Sequence, residues 1–147
     1  MSDPTNIENA AQVAHRWVNE MAETIGTDEK RAWHALRAGL HAIRDRVPWQ
    51  EAVHMGQQLP VLIRGIWFEN WVPQDTPTRS RTGADWLEEL RGKLVADGVD
   101  PEAAARATFR LLKTHGNAHG TDPSRDGEIA QIRALLPEDV RSMMDAA

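Results

Sequence analysis

Glu51 and His54 stand three residues apart, the spacing at which one helix turns a carboxylate and an imidazole to the same side and offers a transition metal two ligands. A di-iron centre built this way needs a second Glu-x-x-His and two further helix glutamates. No second copy of the motif is present, so Glu51 and His54 are expected to be a surface pair. A different pattern runs through Asp122-Pro123-Ser124-Arg125-Asp126-Gly127-Glu128-Ile129, with oxygen side chains at positions one, three and five, Gly at six and an apolar residue at eight, as in a calcium loop. Position twelve is Arg133, a cation where calcium needs a bidentate carboxylate. Asp126 is therefore expected to cap a helix whose first turn holds Glu128. His34 and His41 lie seven apart on one helix face, with Asp45 a turn beyond, and His115 and His119 lie four apart at a helix end, where imidazoles suit the last carbonyls.

Nucleophilic chemistry is poorly provided for. Cysteine and tyrosine are absent, which excludes thiol nucleophiles, disulfides, iron–sulfur clusters and thiolate zinc sites. The chain also lacks a Gly-x-x-x-x-Gly-Lys phosphate loop, a Gly-x-Ser-x-Gly elbow and a His-Glu-x-x-His helix. No catalytic residue, cofactor or metal is expected. Glu51, His54, Asp122, Asp126 and Glu128 are the nearest approach to a ligand set.

The segment Ile66-Trp67-Phe68-Glu69-Asn70-Trp71 is the most distinctive candidate for binding. On one helix, Arg64, Trp67 and Trp71 share a face, and Trp and Arg are the residue types most enriched at binding hot spots. These three residues are nominated for contact with a ligand or partner. Against that, exposed indoles are costly unless something covers them. The plainer expectation is that Trp67 and Trp71 close the core while Arg64 pairs with a nearby carboxylate.

The elements that must position these residues are all helical. The chain has 147 residues, 41% apolar and 27% charged, enough for one domain that buries roughly two-thirds of its surface. Apolar residues from Ile7 to Ile25 recur every three or four positions up to Gly26; Ala32, Leu36, Leu40 and Ile43 trace a second stripe after Asp28 and end before Pro48. Pro48 and Pro60 start two further helices, about Trp49–Gln58 and Val61–Trp71. Residues 72–83 read as an extended linker, Thr82 and Asp85 as a capping box, and Asp100-Pro101 as the start of a sixth helix. A loop from Gly116 to Gly127 precedes a final pair, Glu128–Leu136 and Pro137–Met144. No alternating run competes for strand, so the expected fold is all-α, a single domain of about eight helices.

The second half repeats the first. Trp17, Met21 and Ile25 match Trp86, Leu90 and Leu94; Gly26, Asp28 and Ala32 match Gly98, Asp100 and Ala104; Glu51, Met55, Leu59, Pro60 and Arg64 match Glu128, Ile132, Leu136, Pro137 and Arg141. His54 falls on Gln131, which breaks the symmetry of any shared metal site. The pattern predicts two four-helix repeats, about 5–73 and 83–147, joined by a linker near 73–83 and related by approximate two-fold symmetry.

Gln58-Leu59-Pro60-Val61-Leu62-Ile63-Arg64-Gly65-Ile66-Trp67-Phe68-Glu69-Asn70-Trp71-Val72-Pro73, preceded by Leu40-His41-Ala42-Ile43-Arg44-Asp45-Arg46-Val47, resembles the signature of the bacterial family called domain of unknown function 2267. Gly127-Glu128 through Leu135-Leu136-Pro137 is similar to that family's C-terminal element. The resemblance spans nearly the whole chain from about Ala14 and implies an all-helical single domain, with no activity, cofactor or catalytic residue to carry over. The loop from Gly116 to Arg125 is longer than the family's usual short turn.

Charge and hydropathy bound the partners. The net charge of −5 is spread over both halves, with 7 basic and 9 acidic residues up to Pro73 and 10 and 13 after it, so attraction to nucleic acid is not expected. Arg79 and Arg81 in the linker are the only local support for it. The longest apolar run, Pro60–Phe68, spans about nine residues and contains Arg64, too short for a membrane span, and the N-terminus lacks a secretion signal. Arg outnumbers Lys 14 to 3 in an Ala-rich chain, a composition typical of GC-rich bacteria. The expectation is a cytoplasmic, non-enzymatic binding or protein-interaction module, with a protein, a small molecule or a second copy of itself as partner. The alternative is a metal-dependent enzyme or metal sensor that uses the histidines and the acidic loop.

Overall fold

The computed structural model describes residues 4–95, 98–116 and 128–147. The regular elements among them are all helical: α1 (Pro4–Ile25), α2 (Glu29–Arg46), α3 (Trp49–Gln58), α4 (Val61–Phe68), a 3-10 turn at Pro73–Asp75, α5 (Gly83–Lys93), α6 (Pro101–His115), α7 (Glu128–Leu135) and α8 (Glu138–Ala146). Asp28, Thr82 and Asp100 each accept the backbone N–H three residues ahead and so satisfy one of the unpaired amides that open α2, α5 and α6. Gly26 and Gly98 precede two of these caps with φ of 80° and 81°, a left-handed turn open to glycine without a Cβ penalty. Pro48, Pro60 and Pro137 stand at the N-caps of α3, α4 and α8, where the missing N–H costs nothing. No helix among the described residues is long and apolar enough to cross a membrane.

Helix α2 lies at the centre of the first four helices and α6 at the centre of the last four. The principal neighbour pairs come in matching sets: α1 packs on α2 as α5 does on α6, α1 on α6 as α5 on α2, α2 on α4 as α6 on α8, and α3 on α4 as α7 on α8. Two pairs, α2 with α6 and α3 with α7, join like-numbered members of each half. At the α2–α6 crossing the backbones approach so closely that a Cβ on Gly39 would stand 2.1 Å from Thr108 Oγ1. Trp17, Trp67 and Trp86 are fully buried in one core with Phe109, Leu36, Leu40 and Ile43. Two of these wholly buried indoles keep their N–H groups paired: Trp67 Nε1 donates to Ala52 O at 2.9 Å and Trp86 Nε1 to Ala42 O at 3.1 Å.

Two local expectations are corrected. The fourth helix ends at Phe68 rather than at Trp71, because Arg44 reaches over its C-terminus and donates Nη1 to Trp67 O at 2.9 Å and Glu69 O at 2.6 Å. Asn70 then turns left-handed, with φ of 55°. The linker is also not simply extended: it holds the Pro73–Asp75 turn and is pinned to the end of α2, with Thr78 N donating to Asp45 O and Arg46 Nε to Ser80 O.

Candidate metal centre

Pro48 starts α3 so that Glu51 falls in its first turn and His54 one turn later, on the side that meets α7. Helix α7 begins at Glu128 and buries Ile129 and Ile132. On α3 the buried residues are Ala52, Met55 and Gly56. Packing these apolar residues brings the two helix starts together and draws both carboxylates out of water. The Glu128 side chain is only 8% exposed and Glu51 22%, whereas His54 is 58% exposed. One donor atom from each of Glu51, His54 and Glu128 lies within 4.8 Å of the others, and His54 Nδ1 stands 4.0 Å from an oxygen of each carboxylate. At 4.0 Å the imidazole is not hydrogen-bonded to either.

The two carboxyl groups meet each other. Glu51 Oε2 and Glu128 Oε1 are buried with no donor from another residue. A buried carboxylate facing another cannot ionise cheaply, and burial, then a hydrogen bond with Glu51 and the charge of that group, push the Glu128 carboxyl up to about 8. The positive ends of α3 and α7 favour negative charge here, but burial and mutual repulsion outweigh that help. At neutral pH the pair therefore keeps a proton, and whatever replaces that proton must be a cation.

A divalent metal meets these demands. Its ligands sit about 2.0–2.2 Å away, which brings donors to within about 3.5 Å of one another, so the trio has to close by less than a bond length. The exposed His54 side chain has the rotamer freedom to do so. One imidazole nitrogen with two carboxylate oxygens is a borderline donor set, suited to zinc, manganese, iron, cobalt or nickel more than to calcium. The two carboxylates neutralise the ion, and the exposed His54 side leaves the remaining coordination positions to water.

The other nominated residues fall elsewhere. Asp122, Asp126 and the loop between Gly116 and Glu128 lie outside the described residues. Arg133, at the twelfth position of the calcium-like pattern, pairs through two hydrogen bonds with Asp145. Arg64, Trp67 and Trp71 do not share an exposed face. Trp67 is wholly buried, and Trp71, beyond the end of α4, packs tilted on Phe68 at 5.4 Å. Arg64 pairs with carbonyls rather than a carboxylate, donating to Gly56 O, Leu59 O and Gln57 O at the end of α3, where four acceptors lack helical partners. His115 meets Glu20 at 2.7 Å, and His34 and His41 line a separate cavity.

Spacing within one helix could pair Glu51 with His54 but could not supply the third ligand. The signal that could have done so was the internal match of Glu51 with Glu128. The Glu-x-x-His of α3 meets the glutamate that opens α7.

A comparison with curated proteins returns no match. The family model described as an uncharacterized conserved protein (DUF2267) matches residues 14–143. The chain belongs to the DUF2267 family.

Proposed function

We propose that this chain is a helical binding module whose ligand is a divalent transition-metal cation, held by Glu51 and His54 of α3 and Glu128 of α7. The observation that carries this is the meeting of two largely buried carboxyl groups, Glu51 and Glu128, with one donor atom of each within 4.8 Å of a His54 nitrogen. The matching helix pairs and the paired turns at Gly26 and Gly98 support a two-fold arrangement of two four-helix repeats, with Glu51 and Glu128 close to its axis. In that arrangement the cation ties one repeat to the other and makes their docking depend on metal.

Thermal melting with added metal tests this. A ligand that binds only the folded state at 100 times its Kd stabilises it by about 2.7 kcal/mol. For a chain of this size that is a rise in Tm of roughly 5–10 °C. Zinc, manganese, cobalt or nickel should raise the melting temperature of the wild type and not of E128Q, with calcium and magnesium giving little. Equal behaviour of wild type and E128Q with every metal would sink the proposal.

A further inference from the structure

A second site, independent of the metal centre, lies on the opposite partners of α2. His34, Arg37 and His41 recur at intervals of three and four and so share one face of that helix. Asn70, from the left-handed turn after α4, and Lys93 and Val95, from the end of α5, close the other side. Together they line a cavity of about 220 Å³. We propose that this cavity binds a small oxyanion of the phosphate or carboxylate class.

Two features carry the proposal. First, among the described residues the titratable side chains on the wall are all basic, and no carboxylate lines it. Second, the two permanent cations are aimed from behind by acids that lie off the wall. Glu69 accepts from Arg37 Nε at 3.0 Å and Nη2 at 3.3 Å, and Asp45 accepts from Lys93 Nζ at 2.8 Å. Asp45 is shared with Arg44, whose Nε donates to it at 2.8 Å, so the acids do not cancel the local positive charge. Held in this way, the Arg37 guanidinium retains its Nη1 donors and the Lys93 ammonium two of its three protons for a ligand. His41, whose Nε2 lies 2.6 Å from Ile66 O, is fixed in place as part of the wall. Charge-assisted bonds from a fixed guanidinium and an ammonium are the usual means of recognising an oxyanion.

NMR of the full chain, titrated separately with sodium phosphate, sodium acetate and sodium chloride at equal ionic strength, tests the proposal. Phosphate or acetate should give saturable shifts at the His34 and His41 rings and the Asn70 and Val95 amides, and the stronger of the two identifies a tetrahedral or a planar oxyanion. Lys93→Gln should weaken that binding about tenfold, the loss expected for one charge-assisted hydrogen bond. Asn70→Gly, which suits the left-handed turn, should weaken it too and serves where Lys93→Gln fails to fold. Shifts that grow linearly, that chloride reproduces, that fall away from these residues, or that neither variant changes would overturn the proposal.

Discussion

Glu51 and Glu128, on two helices that are 77 positions apart in sequence, bury one carboxylate oxygen each against the same seam, where neither meets a donor from another residue. The consequence for stability has a definite sign. In the unfolded chain the Glu128 carboxyl titrates near 4.5, and in the folded protein burial and Glu51 push it up to about 8. The folded state thus binds the extra proton more tightly. Its contribution to stability is fully present below about pH 4.5, and is lost as pH rises through about 8. In metal-free buffer, the melting temperature of the wild type should therefore fall between pH 5 and pH 9 relative to that of Glu128→Gln, which cannot ionise. Parallel melting profiles for the two proteins across that range would show that the carboxyl is not perturbed.

His54 separates metal binding from folding. Its side chain is 58% exposed and makes no hydrogen bond, so His54→Ala should change metal-free stability by no more than about 0.5 kcal/mol. The same change removes one of the three proposed ligands. Loss of an outer-shell partner alone costs metal affinity about 10–100-fold, and loss of a ligand should reach at least the upper end of that range. Calorimetric titration with zinc measures the affinity, and urea unfolding in a chelator measures the stability. Unaltered affinity in His54→Ala would remove the imidazole from the ligand set.

The helical fold was largely legible in the sequence because its signals are local. Asp28, Thr82 and Asp100 cap within three residues, Pro48, Pro60 and Pro137 mark first turns, and apolar residues at helical spacing became the core. The end of α4 was not legible, because Arg44 and not a local residue sets it. Arg64 offers the same lesson in reverse. A charge can be read from sequence, but its acceptors, three carbonyls at the end of another helix, depend on how α3 and α4 pack. The cluster of Glu51, His54 and Glu128 needed one more step. Glu51 and His54 were visible as a pair, and Glu128 as a helix opener, but only the packing of α3 on α7 puts them together.

Arg44 should be among the most sensitive polar positions. It is 2% exposed, pairs with Asp45, and holds the C-terminus of α4 through two carbonyls. Arg44→Ala leaves those carbonyls and part of the Asp45 charge unpaired in the interior, a situation that costs about 3–5 kcal/mol. Arg44→Lys keeps the charge but cannot fork between Asp45 and α4, and should recover only part of the loss. Denaturant unfolding of the three proteins gives the order wild type, Lys, Ala. A stability loss in Arg44→Ala of under about 1 kcal/mol would mean that water replaces the guanidinium at those carbonyls.

Gly39 is expected to be intolerant because of its neighbour and not its backbone. A Cβ there would stand 2.1 Å from Thr108 Oγ1 and 2.9 Å from Thr108 Cβ, so the α2–α6 crossing would have to open. Overpacking of this kind costs about 1–3 kcal/mol, and it opposes the small gain that Ala normally brings to a helix interior. Thr108→Ala takes away the nearest atom, Oγ1, which in the wild type donates to Ala104 O at 2.8 Å. It leaves Cβ in place, so Gly39→Ala with Thr108→Ala should recover part but not all of the stability. The double-mutant cycle should therefore show coupling, with the pair less destabilised than the sum of the single changes. Strict additivity would mean that the two helices do not meet at Gly39 and Thr108.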